Sequence, residues 1–254
     1  VLTSYLSTVR ALLQNPPAST QLYSDANLTS FINTARGQLA GEAECIRAIG
    51  TVPTIVNQQP YNFSSINLGV PATTGVQAAI HVRRINVGVG NGQVWLEGRP
   101  WEWFNFYVLN NPIPNPAQPS IWAQYGQGGA PSSQIGVGAT GGGSFYINVP
   151  DAVYTLYCDC VCYPIALAAD SDAEAIPYQW TDAVPFLACY YALLSAQTDA
   201  RRAAAEAYYN YYKVFLERAR TQANPSPLRW QYEQAGDPVQ AMKLGVKPPA
   251  GAAA

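Results

Sequence analysis

The sequence predicts an α+β protein. A helical bundle is built from its N- and C-terminal segments, an antiparallel β-sandwich or barrel is inserted between them, and an extended C-terminal arm follows. Three observations point there. Apolar residues recur at helical spacing over the first fifty residues and again beyond the acidic stretch around residue 172. Between Val52 and Pro164, prolines and glycines punctuate short runs of β-branched and aromatic residues. The last thirty or so residues are rich in proline, glycine and alanine and have no sustained period. The expected divisions are 1–51 (first helical part), 52–164 (inserted β domain), 165–223 (second helical part) and 224–254 (arm).

In chain order, Leu2, Leu6, Val9 and Leu13 are spaced as one face of a helix, which Asn15-Pro16-Pro17 ends. Ser24 or Asp25 then caps a second helix, whose stripe is Leu28, Phe31, Ile32, Ala35, Leu39, Ala43 and Ile46. Gly50 is its expected stop. The runs GVQAAIHVRRINV, GQVWLEG, WEWFNFYVL, SIWAQYG, GSFYINV and VYTLYCDCVCY read as strands. Asn91-Gly92 is a hairpin turn, and residues 126–144 form a long glycine-rich hairpin tip. Helix returns with Thr181 or Asp182 as cap, and Pro185 is tolerated in its first turn, where an N–H has no partner to lose. After a turn near 197–199, a last helix runs on with Ala204, Tyr208, Tyr211, Tyr212, Phe215 and Ala219 along one side.

Charged residues make up only 12 % of the 254, against a typical quarter, and tyrosine is abundant at 17. A surface so short of charge is suited to lying against partners, and tyrosine favours such places because its body is apolar and its tip is wet. The net charge of −2 exerts no general pull toward nucleic acid. No apolar run is long enough to span a membrane, and the opening lacks the layout of a secretory signal. Charge is nevertheless distributed unevenly. Residues 151–200 hold seven Asp/Glu and no Lys/Arg, whereas residues 201–254 hold eight Lys/Arg and four Asp/Glu, a net of +4. Two such sectors can pair between copies of the chain, Asp170, Asp172 and Glu174 of one meeting Arg201, Arg202, Arg218 and Arg220 of the next.

Candidate chemistry is sparse. Cys158, Cys160 and Cys162 alternate along one strand at steps of roughly 6.5–7 Å, too far apart to converge on one zinc ion or to close a disulfide, so they read as core. The run Asp170, Asp172, Glu174 imitates a calcium loop, but Ala175 and Thr181 stand where that loop needs glycine and glutamate. GVGNG lacks the residues of a phosphate loop, His81 is the only histidine, and no serine lies in a nucleophile elbow. No enzyme and no cofactor or metal is expected.

Two features ask for more than a fold. Trp95, Trp101, Trp103, Phe104, Phe106, Tyr107 and Trp122 are too dense for the core of one small sheet, so part of the set suits a protein or sugar interface. Leu228, Arg229, Trp230 and Tyr232 lie in a segment that cannot fold alone, as anchors on an arm do.

The opening LTSYLSTVRALLQ…YSDANLTSFINTARGQLAGEAECIR resembles the head-to-tail adaptor (connector) proteins of short-tailed bacteriophages, the group that includes tail tubular protein A. The matching positions are Tyr5, Leu6, Val9, Arg10, Leu12, Leu13, Ser24, Asp25, Leu28, Ile32, Asn33, Ala35 and Arg36. Residues 148–193 are similar to that family's closing strand, acidic loop and return to helix, and AYYNYYKVFLERAR suits its last long helix. The resemblance implies a structural virion protein, assembled in the bacterial host cytoplasm, that forms a homo-oligomeric ring, usually of twelve copies. The ring would join the portal protein through its helices and C-terminal arm, with Leu228, Arg229, Trp230 and Tyr232 as portal contacts. Its β domains would face the tail nozzle protein, and phage DNA would pass through the centre without sequence-specific binding. The alternative is a carbohydrate- or receptor-binding β module of a phage tail.

Overall fold

The helices of residues 2–43 and those of residues 183–223 meet in one four-helix bundle. The computed structural model describes residues 1–15, 22–110, 116–128, 143–195 and 199–223. The arm, with Leu228, Arg229, Trp230 and Tyr232, lies outside the described residues, as do most of the glycine-rich loop and the turn before Asp199.

Helix α1 (Leu2–Leu13) buries Leu2 and Val9 of the predicted face together with Tyr5, leaves Leu6 and Leu13 partly buried, and ends on Gln14 in the left-handed conformation. Ser24 caps α2 (Asp25–Ala43), its hydroxyl accepting the Asn27 N–H at 3.2 Å. This helix stops earlier than expected: Glu44, at φ 52°, closes it. Gly50 therefore ends no helix but lies in strand β1 (Arg47–Pro53), opposite Cys158. There a Cβ would overlap the Ile66 side chain, so close packing rather than helix termination requires the glycine.

The β part contains two four-stranded sheets, described here with the short helices between their strands. The additional elements, in chain order, are β2 (Pro60–Asn62), α3 (Pro71–Thr74), β3 (Val76–Val89), β4 (Gly92–Trp95), β5 (Glu97–Gly98), α4 (Trp101–Phe104), β6 (Ile121–Tyr125), β7 (Ser144–Ile147) and β8 (Thr155–Pro164). The first sheet runs β1-β8-β3-β4 and the second β2-β7-β6-β5, every pair antiparallel except β5 with β6. Strands β1 and β2 have no clear alternation in sequence and were not anticipated. The β3–β4 turn is Gly90-Asn91, one residue earlier than expected, with Gly90 at φ 54°.

WEWFNFYVL is not a strand. Pro100 precedes α4, which continues as a π-helical turn over Asn105–Leu109. A proline just before a run favours helix initiation, and the aromatic residues follow helical rather than alternating spacing. Phe104 is buried, while Phe106 and Tyr107 are exposed. Trp101 packs on Tyr125 and Tyr146, its ring centroid 4.6 and 4.7 Å from theirs, and Trp122 is buried, so the aromatic set divides between core and surface.

Strand β8 is central, paired with β1 on one side and β3 on the other. Cys158, Cys160 and Cys162 share its buried face, and α2 packs against it. Tyr157 and Asp159 point the other way, with Arg47, Ile49, Arg84 and Trp95, around a shallow depression on the open face. Burial raises the cysteine thiols well above their usual range, to about 12 for Cys158 and Cys162, so they stay protonated and inert.

Helices α5 (Ala183–Ser195) and α6 (Asp199–Ala223) complete the bundle. They run antiparallel: Phe186 packs against Phe215 and Tyr211, and Tyr190 against Tyr209. Helix α5 touches the other three long helices, and its Leu187, Ala188, Cys189 and Ala192 are fully buried. The buried line of α6 is Ala205, Tyr212, Leu216 and Ala219, so Ala204 and Tyr211 lie outside it. Bundle and sheets share one continuous core.

Candidate functional site

The polar residues of the N-terminal pattern have a structural task. Arg36 on α2 is 0 % exposed and Glu174, in the loop after β8, is 12 % exposed at its side chain. Arg36 Nε and Nη2 donate to the two carboxylate oxygens at 3.1 and 2.7 Å, a bidentate pair. Arg36 Nη1 also donates to the Ile165 carbonyl at 2.6 Å and to Asn33 Oδ1 at 3.2 Å. Glu174 further accepts the Tyr5 hydroxyl at 3.0 Å and the Ile176 N–H at 2.9 Å. Burial, then the Glu174 charge, holds the Tyr5 hydroxyl protonated far above its ordinary range.

Two smaller clamps repeat the theme. Asn33 bonds both backbone groups of Leu167, accepting its N–H at 2.9 Å and donating to its carbonyl at 3.0 Å. Arg10 pairs with Asp25 and donates to the Asn15 carbonyl at 2.9 Å, fixing the end of α1 to the start of α2. Residues far apart in the chain are thereby locked to the acidic loop.

That loop is engaged within its own chain. Asp170 accepts the Val1 amino group at 2.8 Å, the Thr3 N–H at 2.8 Å and the Thr3 hydroxyl at 2.6 Å, and so supplies the cap that α1 lacks locally. Asp172 accepts the Ala168 and Ala169 N–H groups at 2.6 and 2.7 Å. The calcium-like spacing of these acids is thus a series of backbone caps and two ion pairs, Asp170 with the Val1 amino group and Glu174 with Arg36. Among the described residues, no three His, Cys, Asp or Glu side chains gather as a metal site.

The arginines named with these acids are on α6. Arg220 Nε donates to the Glu42 carbonyl at 2.9 Å, at the C-terminal end of α2, where a cation is favoured. Arg218 lies over the Phe215 ring at 6.0 Å. Arg201 is half-buried and Arg202 exposed near the start of the helix. Within the subunit the Glu174 carboxylate is engaged by Arg36, Tyr5 and the Ile176 N–H.

What the sequence did not disclose is a groove between α1, residues 174–182, α5 and α6. Its volume is about 710 Å³. Leu12, Ile176, Pro185, Phe186 and Phe215 supply its apolar lining, and Tyr178 and Asp182 stand at its mouth. Tyr178 is 93 % exposed, the most open large hydrophobic side chain among the described residues. The available signal was composition: α5 is apolar nearly all round, more than a two-sided contact needs.

The model of the family described as SU10 adaptor protein matches residues 2–231. No curated protein matches the chain.

Proposed function

The chain belongs to the SU10 adaptor protein family and is a structural adaptor of a bacteriophage particle, associated with other head and tail components; from that premise we propose that it forms a ring between portal and tail. In this reading copies of the chain, twelve as in the tail tubular protein A group, close around the path of the exiting DNA. The bundle and the arm face the portal, and the sheets face the nozzle. The observation that supports it best is the aromatic groove on the bundle, open among the described residues, in a chain with only 12 % charged residues. Contiguous apolar surface of this kind marks a place where another protein lies.

The arm residues Leu228, Arg229, Trp230 and Tyr232 are proposed as portal anchors: apolar and aromatic side chains around one cation, the composition of a binding hot spot. Between copies, the acidic loop meets the basic last helix, with Asp170 the exposed acid of the loop and Arg202, Arg218 and Arg220 exposed on the helix. DNA in such a channel must slide, so a strong phosphate grip would work against the role.

Deleting residues 224–254 is the direct test. The shortened chain is expected to stay soluble and folded but to fail to co-sediment with portal rings. Undiminished portal binding by the deletion would refute the arm's role. The receptor-binding alternative draws on the exposed Phe106 and Tyr107 of the π-helical turn. Replacing both by alanine would abolish glycan-array binding on that reading and leave portal binding unchanged on the adaptor reading.

A further inference from the structure

We propose that the depression on the open face of the first sheet is a saccharide-binding site, in which a neutral hexose unit lies against Trp95 and bonds to the polar side chains around it. The proposal goes beyond the adaptor reading and does not depend on it. It also differs in place from the receptor-binding alternative, which draws on Phe106 and Tyr107.

The sheet register builds the site. Asp159 on β8 stands between Ile49 of β1 and Arg84 of β3. One row on, Tyr157 stands beside Asn86, which is opposite Trp95 of β4. Alternation along each strand puts these side chains on the face away from the cysteines. With Arg47 and Gln93 they surround a hollow of about 510 Å³, within the range of small-ligand sites. A Cβ at Gly88 would come within 3.3 Å of the Tyr157 ring, so the glycine lets that ring lie close to β3.

Donors, acceptors and an apolar surface are all present. Arg47 pairs with Asp159, and both side chains stay partly exposed. The Arg84 guanidinium lies over the Trp95 ring at 5.2 Å, and Trp95 is 55 % exposed. Asn86 donates from Nδ2 to Gln93 Oε1 at 3.1 Å, while its buried Oδ1 has no donor among the described residues. A buried acceptor left so costs free energy that a bound donor would restore, and the exposed Gln93 side chain can turn to admit one. The matching ligand donates to Asn86 and Asp159, accepts from Arg47 and Arg84, and lays an apolar surface on Trp95. A hexose does all three, because each hydroxyl both donates and accepts while the C–H face of the ring is apolar. A phosphate or carboxylate only accepts, and Asp159 opposes it. A peptide strand cannot add here, since β8 below the hollow is already paired with β1 and β3.

The test titrates the full-length chain with cellohexaose, maltohexaose and mannohexaose, with polygalacturonate as the acidic comparison, and follows binding by calorimetry and NMR. At least one neutral hexaose should bind. Trp95→Ala and Asn86→Leu should each weaken that binding roughly tenfold or more while melting at the parent temperature. Phe106→Ala with Tyr107→Ala should leave it unchanged. In the parent chain the Trp95 indole N–H signal should move on titration, a readout that needs no variant to fold. Binding of none of the neutral hexaoses, or of polygalacturonate alone, would overturn the proposal. Parent-like affinity in Trp95→Ala, or an unmoved indole signal with sugar bound, would put the sugar elsewhere and overturn it equally. None of these outcomes bears on portal association, which the arm deletion tests separately.

Discussion

Arg36 shows most directly how single residues hold this protein together. Its guanidinium is buried, paired bidentately and satisfied by two further acceptors. Removing one partner of such a pair leaves an uncompensated buried charge, so Arg36→Ala should cost about 3–5 kcal/mol, read as a lowered urea midpoint. The double change Arg36→Met with Glu174→Leu removes both charges and should cost much less, although Tyr5 and the Ile176 N–H then lose their acceptor. Asp170 gives a prediction of a different kind. Hydrogen bonds from the Val1 amino group and then from Thr3 hold its carboxyl well below the usual range. A depressed carboxylate contributes stability that is present above its unfolded value near pH 4 and lost as pH falls through the folded value. Asp170→Asn should therefore be less stable than the parent at neutral pH, and thermal melts of the two should converge as the solution is taken below about pH 4.

At the level of elements, two glycines divide by what surrounds them. A Cβ at Gly50 in β1 would overlap two side chains, the Cγ2 branch of Ile66 and Cδ2 of Leu68, which a rotamer change can relieve only in part. At Gly128, where the glycine-rich connection leaves the sheet, a Cβ would overlap the Ala79 backbone carbonyl, which cannot move without disturbing β3. Overpacking typically costs about 1–3 kcal/mol, so Gly50→Ala should fall within that range and Gly128→Ala above it, measured by urea unfolding. The hydrogen bond from the Gly128 N–H to the Ile80 carbonyl at 2.7 Å shows how closely the two backbones approach. The segment after Pro100 teaches the complementary lesson. Aromatic density suggested a strand, yet helical spacing and the preceding proline decided the outcome, and the exposed rings of Phe106 and Tyr107 give no sheet face to bury.

For the whole molecule, the bundle and the two sheets share one core, built among the described residues from side chains within 1–223. Deletion of residues 224–254 should accordingly leave the thermal midpoint within the scatter of surface substitutions while portal association is lost. The fold's contribution to an adaptor is thus positional: α2 packs on β8, so a force applied to the bundle is passed to the sheets through a buried contact.

The sequence alone determined the order helix, sheet, helix, because periods of 3.6 and of two are local properties of neighbouring residues. It also disclosed the buried role of Cys158, Cys160 and Cys162, since alternation along a strand needs no knowledge of the partner strands. It pointed to a phage adaptor through a pattern that includes Arg10, Asp25, Asn33 and Arg36, but not to what those residues do. Their partners Asn15, Leu167 and Glu174 are set by folding, the last two more than a hundred positions away, and no spacing rule reaches that far. The same limit hid the groove, whose walls come from α1, α5, α6 and the 174–182 segment. A concave surface exists only after helices have chosen their neighbours, and that choice belongs to tertiary packing.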